Sequence, residues 1–114
     1  MFKHLFDGFK VLWREFNKTA QYKTITVIQS GEESSSHLNK RDLLIVNGGE
    51  KPKWLRFKCP CGCGKEVALT LMSTHHPHWS ISRNNGSLTV HPSVIVSDCG
   101  SHFWIKDSKV IWTD

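Results

Sequence analysis

Three of the four cysteines in this chain fall within five residues, at Cys59, Cys61 and Cys63, and the fourth is Cys99. Thiolate sulfur is a preferred ligand of Zn²⁺, which takes four ligands in a tetrahedron. Gly62 and Gly64 alternate with the cysteines and let a backbone turn tightly around an ion. The spacing therefore predicts one zinc ion held by Cys59, Cys61, Cys63 and Cys99, although it is not the usual pair of C-x-x-C knuckles. A second assignment exchanges one cysteine of the triplet for His102, because Cys99-x-x-His102 also has ligand-like spacing. Four protein ligands leave no open position for water, so the predicted site is structural. Lys58 and Lys65 flank the triplet and can offset the excess negative charge of the thiolates.

The last third of the chain carries hydroxyl and imidazole groups in two runs, His91-Pro92-Ser93 and Cys99-Gly100-Ser101-His102. A serine nucleophile needs a base within hydrogen-bond reach and donors aimed at the developing oxyanion. Ser93 and His102 stand near turns and can meet across adjacent strands. His91 and Ser93 are two residues apart and share a strand face. Amides around Gly100 are candidate oxyanion donors. No G-x-S-x-G elbow is present. On residue type and spacing alone these groups do not rise above ordinary surface serines and histidines. His75, His76 and His78 form another cluster beside Pro77. It has no clear fourth partner and reads as a solvated loop.

The elements that must position these groups are mostly strands. Residues 22–29 (YKTITVIQ) are rich in β-branched residues and alternate, and residues 43–47 form a short apolar run before Asn47-Gly48-Gly49. Residues 54–58 alternate into the cysteine triplet and 66–72 alternate out of it, which predicts a hairpin with the cysteines at its tip. Residues 79–83 and 87–90 flank Asn84-Asn85-Gly86, a strong hairpin signal. Residues 94–96 continue the β pattern, Asp98 to Ser101 is a turn, and 102–106 pairs with 109–112 around Asp107-Ser108. Residues 30–42 (SGEESSSHLNKRD) are polar and read as an exposed loop. Ahead of all this, Phe2, Leu5, Phe6, Phe9, Leu12, Trp13 and Phe16 recur at helical spacing, with Lys3, Lys10, Arg14 and Lys18 on the other face. The expected architecture is mainly β: an amphipathic helix over residues 1–20, then a small antiparallel domain over 21–114 built around one structural zinc.

The 114 residues, 39% hydrophobic and 22% charged, fit one folded domain with a modest core and exclude wholesale disorder. A net charge of +5 suits nucleic acid, anionic lipid or an acidic protein without choosing among them. No apolar run is long enough to span a bilayer. Charges at Lys3, Asp7, Lys10, Arg14 and Glu15 interrupt the apolar start, which is not the pattern of a secretory signal. A cytoplasmic, reducing location is expected, where cysteines serve as ligands rather than disulfides.

From Trp54 onward the order of motifs resembles a known family. The matching runs are Lys58-Cys59-Pro60-Cys61-Gly62-Cys63-Gly64, Pro77-His78-Trp79-Ser80, His91-Pro92-Ser93-Val94 and Cys99-Gly100-Ser101-His102-Phe103-Trp104-Ile105. They resemble BubE, the small serine peptidase of bacterial ubiquitin-like conjugation (Bub) operons. The resemblance covers about half of the chain and leaves the amphipathic start outside it. It implies a deubiquitinase-like hydrolase in a bacterial antiviral system, acting on a ubiquitin-like protein and its conjugates, with nucleic acid an unlikely partner. A serine would attack the carbonyl at the C-terminus of that protein, with histidine moving the proton. Ser93 and His102 are the first assignment, with Ser101 the alternative nucleophile and His91 the alternative base. If His102 bound the metal, the base would have to be His91. The competing expectation is a zinc-stabilised binding module, for protein or nucleic acid, without chemistry.

Overall fold

The alternation read along the chain becomes two four-stranded sheets in a computed structural model, which describes residues 21–31 and 38–113. The expected helix at residues 1–20 lies outside the described residues, as do residues 32–37 of the expected loop. The strands are β1 (Thr24–Gln29), β2 (Asp42–Gly48), β3 (Lys51–Lys58), β4 (Glu66–Thr70), β5 (Ser80–Asn84), β6 (Ser87–Val96), β7 (Ser101–Lys106) and β8 (Lys109–Trp112). The first sheet runs β1-β2-β3-β4 and the second β5-β6-β7-β8. No helix occurs among the described residues, and none is long and apolar enough to cross a membrane.

One feature departs from the antiparallel expectation. β1 and β2 are parallel, with Thr24 opposite Asp42 and Gln29 opposite Asn47. Residues 30–41 supply the dozen or so residues that a parallel crossover needs. The Asp42 carboxylate fixes the start of this pairing by accepting from the hydroxyls of Thr24 (2.9 Å) and Thr26 (3.1 Å). All other strand pairs are antiparallel.

Each sheet turns one apolar face to the other. Leu43, Ile45, Leu55, Phe57, Val67 and Leu69 from the first sheet meet Leu88, Val90, Val94, Val96, Phe103, Ile105 and Val110 from the second. Phe57 and Phe103 are fully buried and meet edge to face, with ring centroids 6.2 Å apart. Burial of each ring stabilises the fold by roughly 2–3 kcal/mol. Tyr22 packs edge-on against Phe57 and donates its hydroxyl to the Lys58 carbonyl at 2.8 Å. That bond ties down the end of β3 one residue before Cys59. Burial, followed by the nearby Cys59 and Cys61, pushes the Tyr22 phenol well above its ordinary range, so it serves as a donor.

Candidate active site and metal centre

The β3–β4 hairpin delivers the cysteine triplet. Lys58 pairs with Glu66, and the connecting tip is closed by Cys59 N–H to Lys65 O (2.8 Å) and Gly62 N–H to Cys59 O (3.3 Å). Gly62 and Gly64 have φ of 90° and 83°, conformations that L side chains resist. Cys99 arrives from the β6–β7 turn, where Gly100 N–H bonds Val96 O at 2.8 Å. Lys65 and Asp98 form an ion pair that joins the tip to this turn. The Asp98 partner raises the Lys65 pKa.

The four sulfurs lie within 4.8 Å of one another and can hold a metal ion. A tetrahedral zinc with Zn–S bonds of about 2.3 Å places its sulfurs about 3.8 Å apart. Cys59 Sγ is 3.5 Å from Cys61 Sγ and 3.7 Å from Cys99 Sγ, so the donor set fits in size as well as in chemistry. Burial pushes the Cys59 and Cys61 thiols up. Cys99 goes the other way, to about 7: burial opposes its ionisation, but the hydroxyl and N–H of Ser101 and the neighbouring thiols outweigh it. Ser101 is buried, with its Oγ 3.1 Å from Cys99 Sγ and 3.8 Å from Cys59 Sγ. Its hydroxyl therefore faces sulfur.

His102 is the next residue and faces the opposite side of β7. Its Nε2 lies 2.9 Å from Ser93 Oγ. Its Nδ1 lies 2.6 Å from Thr113 Oγ1. Both ring nitrogens are thus engaged by hydroxyls, and the ring stands apart from the four-sulfur group. When Nε2 is the acceptor of the Ser93 hydroxyl, the imidazole proton sits on Nδ1 and donates to Thr113 Oγ1. This is the tautomer a general base on serine requires.

Two local features set this line. On β6, Val94 pairs with Phe103 and Val90 with Ile105, so His91, Pro92 and Ser93 stand opposite Trp104 alone. This bulge, which contains the cis His91–Pro92 bond, brings Ser93 diagonally to His102. Bulges are a common way to re-aim a side chain beside a functional site. The Ser93 carbonyl is held from behind by the indole N–H of Trp79 at 3.2 Å. Just beyond β8, the Thr113 N–H bonds the His102 carbonyl at 2.9 Å, in addition to the side-chain contact.

The structure thus brings Ser93 and His102 together and places Ser101 with the cysteines. His91 is exposed and lies against Trp104, with ring centroids 5.8 Å apart. In the histidine-rich loop, His75 Nδ1 bonds Thr70 Oγ1 (2.6 Å) and His78 Nδ1 bonds the His75 carbonyl (2.9 Å). These bonds organise the approach to Trp79. Sequence reasoning missed Thr113, and it named Trp79 only within a matching run, without a role. A signal for Thr113 was present: a two-residue loop at Asp107-Ser108, counted outward, sets His102 opposite residue 113.

No curated protein and no solved structure matches the chain. A family model described as the bacterial ubiquitination-like system serine protease (BubE) matches residues 30–113. That span contains the cysteine group and the whole Ser93–His102–Thr113 line, and the chain belongs to the BubE family.

Proposed function

We propose that this protein hydrolyses the bond at the C-terminus of a bacterial ubiquitin-like protein, either maturing a precursor or releasing a conjugate. The observation that carries the reading is the hydrogen-bonded relay Ser93–His102–Thr113, at 2.9 and 2.6 Å. Ser93 Oγ attacks the carbonyl carbon while His102 Nε2 takes its proton. The resulting imidazolium donates through both nitrogens, and Thr113 Oγ1 accepts from Nδ1. Collapse of the tetrahedral intermediate breaks the bond to the leaving group, which takes the proton from Nε2. Water, deprotonated by the same nitrogen, then releases the acyl group and restores Ser93. Thr113 is neutral, so it orients the ring and fixes its tautomer but gives the imidazolium less support than a carboxylate would.

Cys59, Cys61, Cys63 and Cys99 would hold a structural zinc in this reading, with the ion bracing the turn that leads into β7. Their reduced state suits the cytoplasm. Incubation of the purified protein with the ubiquitin-like precursor of its own operon tests the proposal. Cleavage at the C-terminus, with a fluorophosphonate attached to Ser93, is the expected result. An uncut precursor, or undiminished cleavage by Ser93→Ala, overturns it.

A further inference from the structure

The outer face of the second sheet carries a second row of side chains beside the relay. Ser93 and His102 come from β6 and β7, and Thr113 directly follows β8. Two positions along the same three strands lie His91, Trp104 and Ile111, with Trp104 paired to Ile111 and the His91 ring against the indole. These residues line a cavity of about 400 Å³, rimmed by Thr89 and Lys106. Trp104 and Ile111 are exposed at 36% and 44%, so the floor of the cavity is apolar and open to a ligand. On the other side of Ser93 stands Ile95, opposite His102 in the β6–β7 register.

We infer that the cavity over His91, Trp104 and Ile111 is the subsite for the acyl side of the substrate, and that it takes a bulky apolar side chain about two residues before the cleaved bond. The inference rests on the assignment of Ser93 as nucleophile. Its direction comes from the proton. A leaving group must receive its proton from His102 Nε2 and so departs over the Ile95 side of the serine. The acyl chain then extends the opposite way, across His91 toward Trp104 and Ile111. An extended chain advances roughly 3.3 Å per residue, and the cavity begins two strand positions from Ser93, which sets the offset. The occupant is an extended polypeptide tail, because the family is one of serine proteases and the cavity is lined by His91, two residues along β6 from Ser93.

Nitrophenyl esters of short peptides, differing only in leucine, phenylalanine or glycine at the position second from the ester, test the subsite. Fluorophosphonate labelling of Ser93 is run in parallel on the same protein. Wild type is expected to prefer leucine and phenylalanine over glycine by at least tenfold in kcat/KM, mainly through KM. Trp104→Ala and Ile111→Ser should each cut that ratio at least fivefold, and Trp104→Phe should retain most of it. The ratio is internal to each variant, so a loss of folded protein does not mimic the effect. Labelling at Ser93 without a preference overturns the subsite alone. Absence of labelling overturns the nucleophile assignment beneath it.

Discussion

Ser101 and His102 are consecutive, and they face opposite sides of β7. The buried side is a corner of sulfur: Ser101 Oγ lies against Cys99 and Cys59, where two sheets and two turns converge. The outer side is a line of oxygen and nitrogen: His102 sits between Ser93 and Thr113, on a half-buried surface. The corner is made by two turns and has the closed four-donor character of a structural site. The line is made by three neighbouring segments and a bulge, and its hydroxyl and imidazole groups are joined by hydrogen bonds. One strand thus separates a part that can hold the fold from a part that can do chemistry, and any influence of the first on the second must pass through the position of β7.

The largest test of this contrast sets the two serines against each other. Ser93→Ala should lower cleavage of the ubiquitin-like precursor by at least about 10³-fold, as loss of a nucleophile does in serine hydrolases. His102→Ala should do the same. Ser101→Ala should stay within about tenfold of wild type in activity, because its hydroxyl faces thiols rather than the imidazole. A protein in which Ser101→Ala is the dead variant would reverse the assignment of the two faces.

Removing the metal tests the link across β7. Cys59→Ser, or treatment with a strong chelator, should release the proposed zinc. Structural zinc sites contribute folding energy directly, so the midpoint of thermal unfolding should fall by ten degrees or more, on the order of several kcal/mol. Cleavage and Ser93 labelling should fall in step with the folded fraction. Metal content by mass spectrometry of the native protein supplies the stoichiometry, expected to be one per chain. Activity that survives at full rate in stably folded, metal-free protein would show that the two regions are independent.

The two regions also differ in how far they can be read from residues alone. The corner is local: Cys59, Cys61 and Cys63 announce themselves, and only Cys99 needs the fold to bring it home. Most strands were equally legible, because alternation and the Asn84-Asn85-Gly86 and Asp107-Ser108 turns report short-range order. The parallel partner of β1 was not, since periodicity carries no strand direction and the crossover passes through a polar segment. The relay was half legible. Ser93 and His102 are chemically apt residues on neighbouring strands, but their contact depends on a bulge that alternation does not encode. Thr113 falls beyond the last expected strand, although the hairpin count places it opposite His102. Trp79 donates to a carbonyl, a role that residue type does not signal.

Thr113 offers a finer test of the outer line. Thr113→Val keeps the shape and removes the oxygen that fixes Nδ1. The expected loss is roughly 10–100-fold in kcat with KM nearly unchanged, the pattern of an interaction that matters most in the transition state. Thr113→Ser keeps the hydroxyl and should recover most of the rate. A purely structural role would instead give parallel losses in kcat and unfolding midpoint, with no recovery by serine.

The smallest effect is expected at Trp79, which touches the line only through the backbone. Its indole N–H donates to the Ser93 carbonyl at 3.2 Å, while its ring packs against the core. Trp79→Phe keeps most of the packing and removes the donor. A single neutral hydrogen bond contributes about 1 kcal/mol, so a loss of up to about fivefold in kcat is expected, with a small drop in the unfolding midpoint. Trp79→Ala removes the packing as well and should cost about 3–5 kcal/mol if the ring behaves as a core residue. The two variants separate what the indole does for the bulge from what it does for the fold. If Trp79→Phe slowed the reaction as much as Thr113→Val, the bulge would be as sensitive as the histidine. Precision in the outer line would then reside in the backbone that carries Ser93 as much as in the side chains that face it.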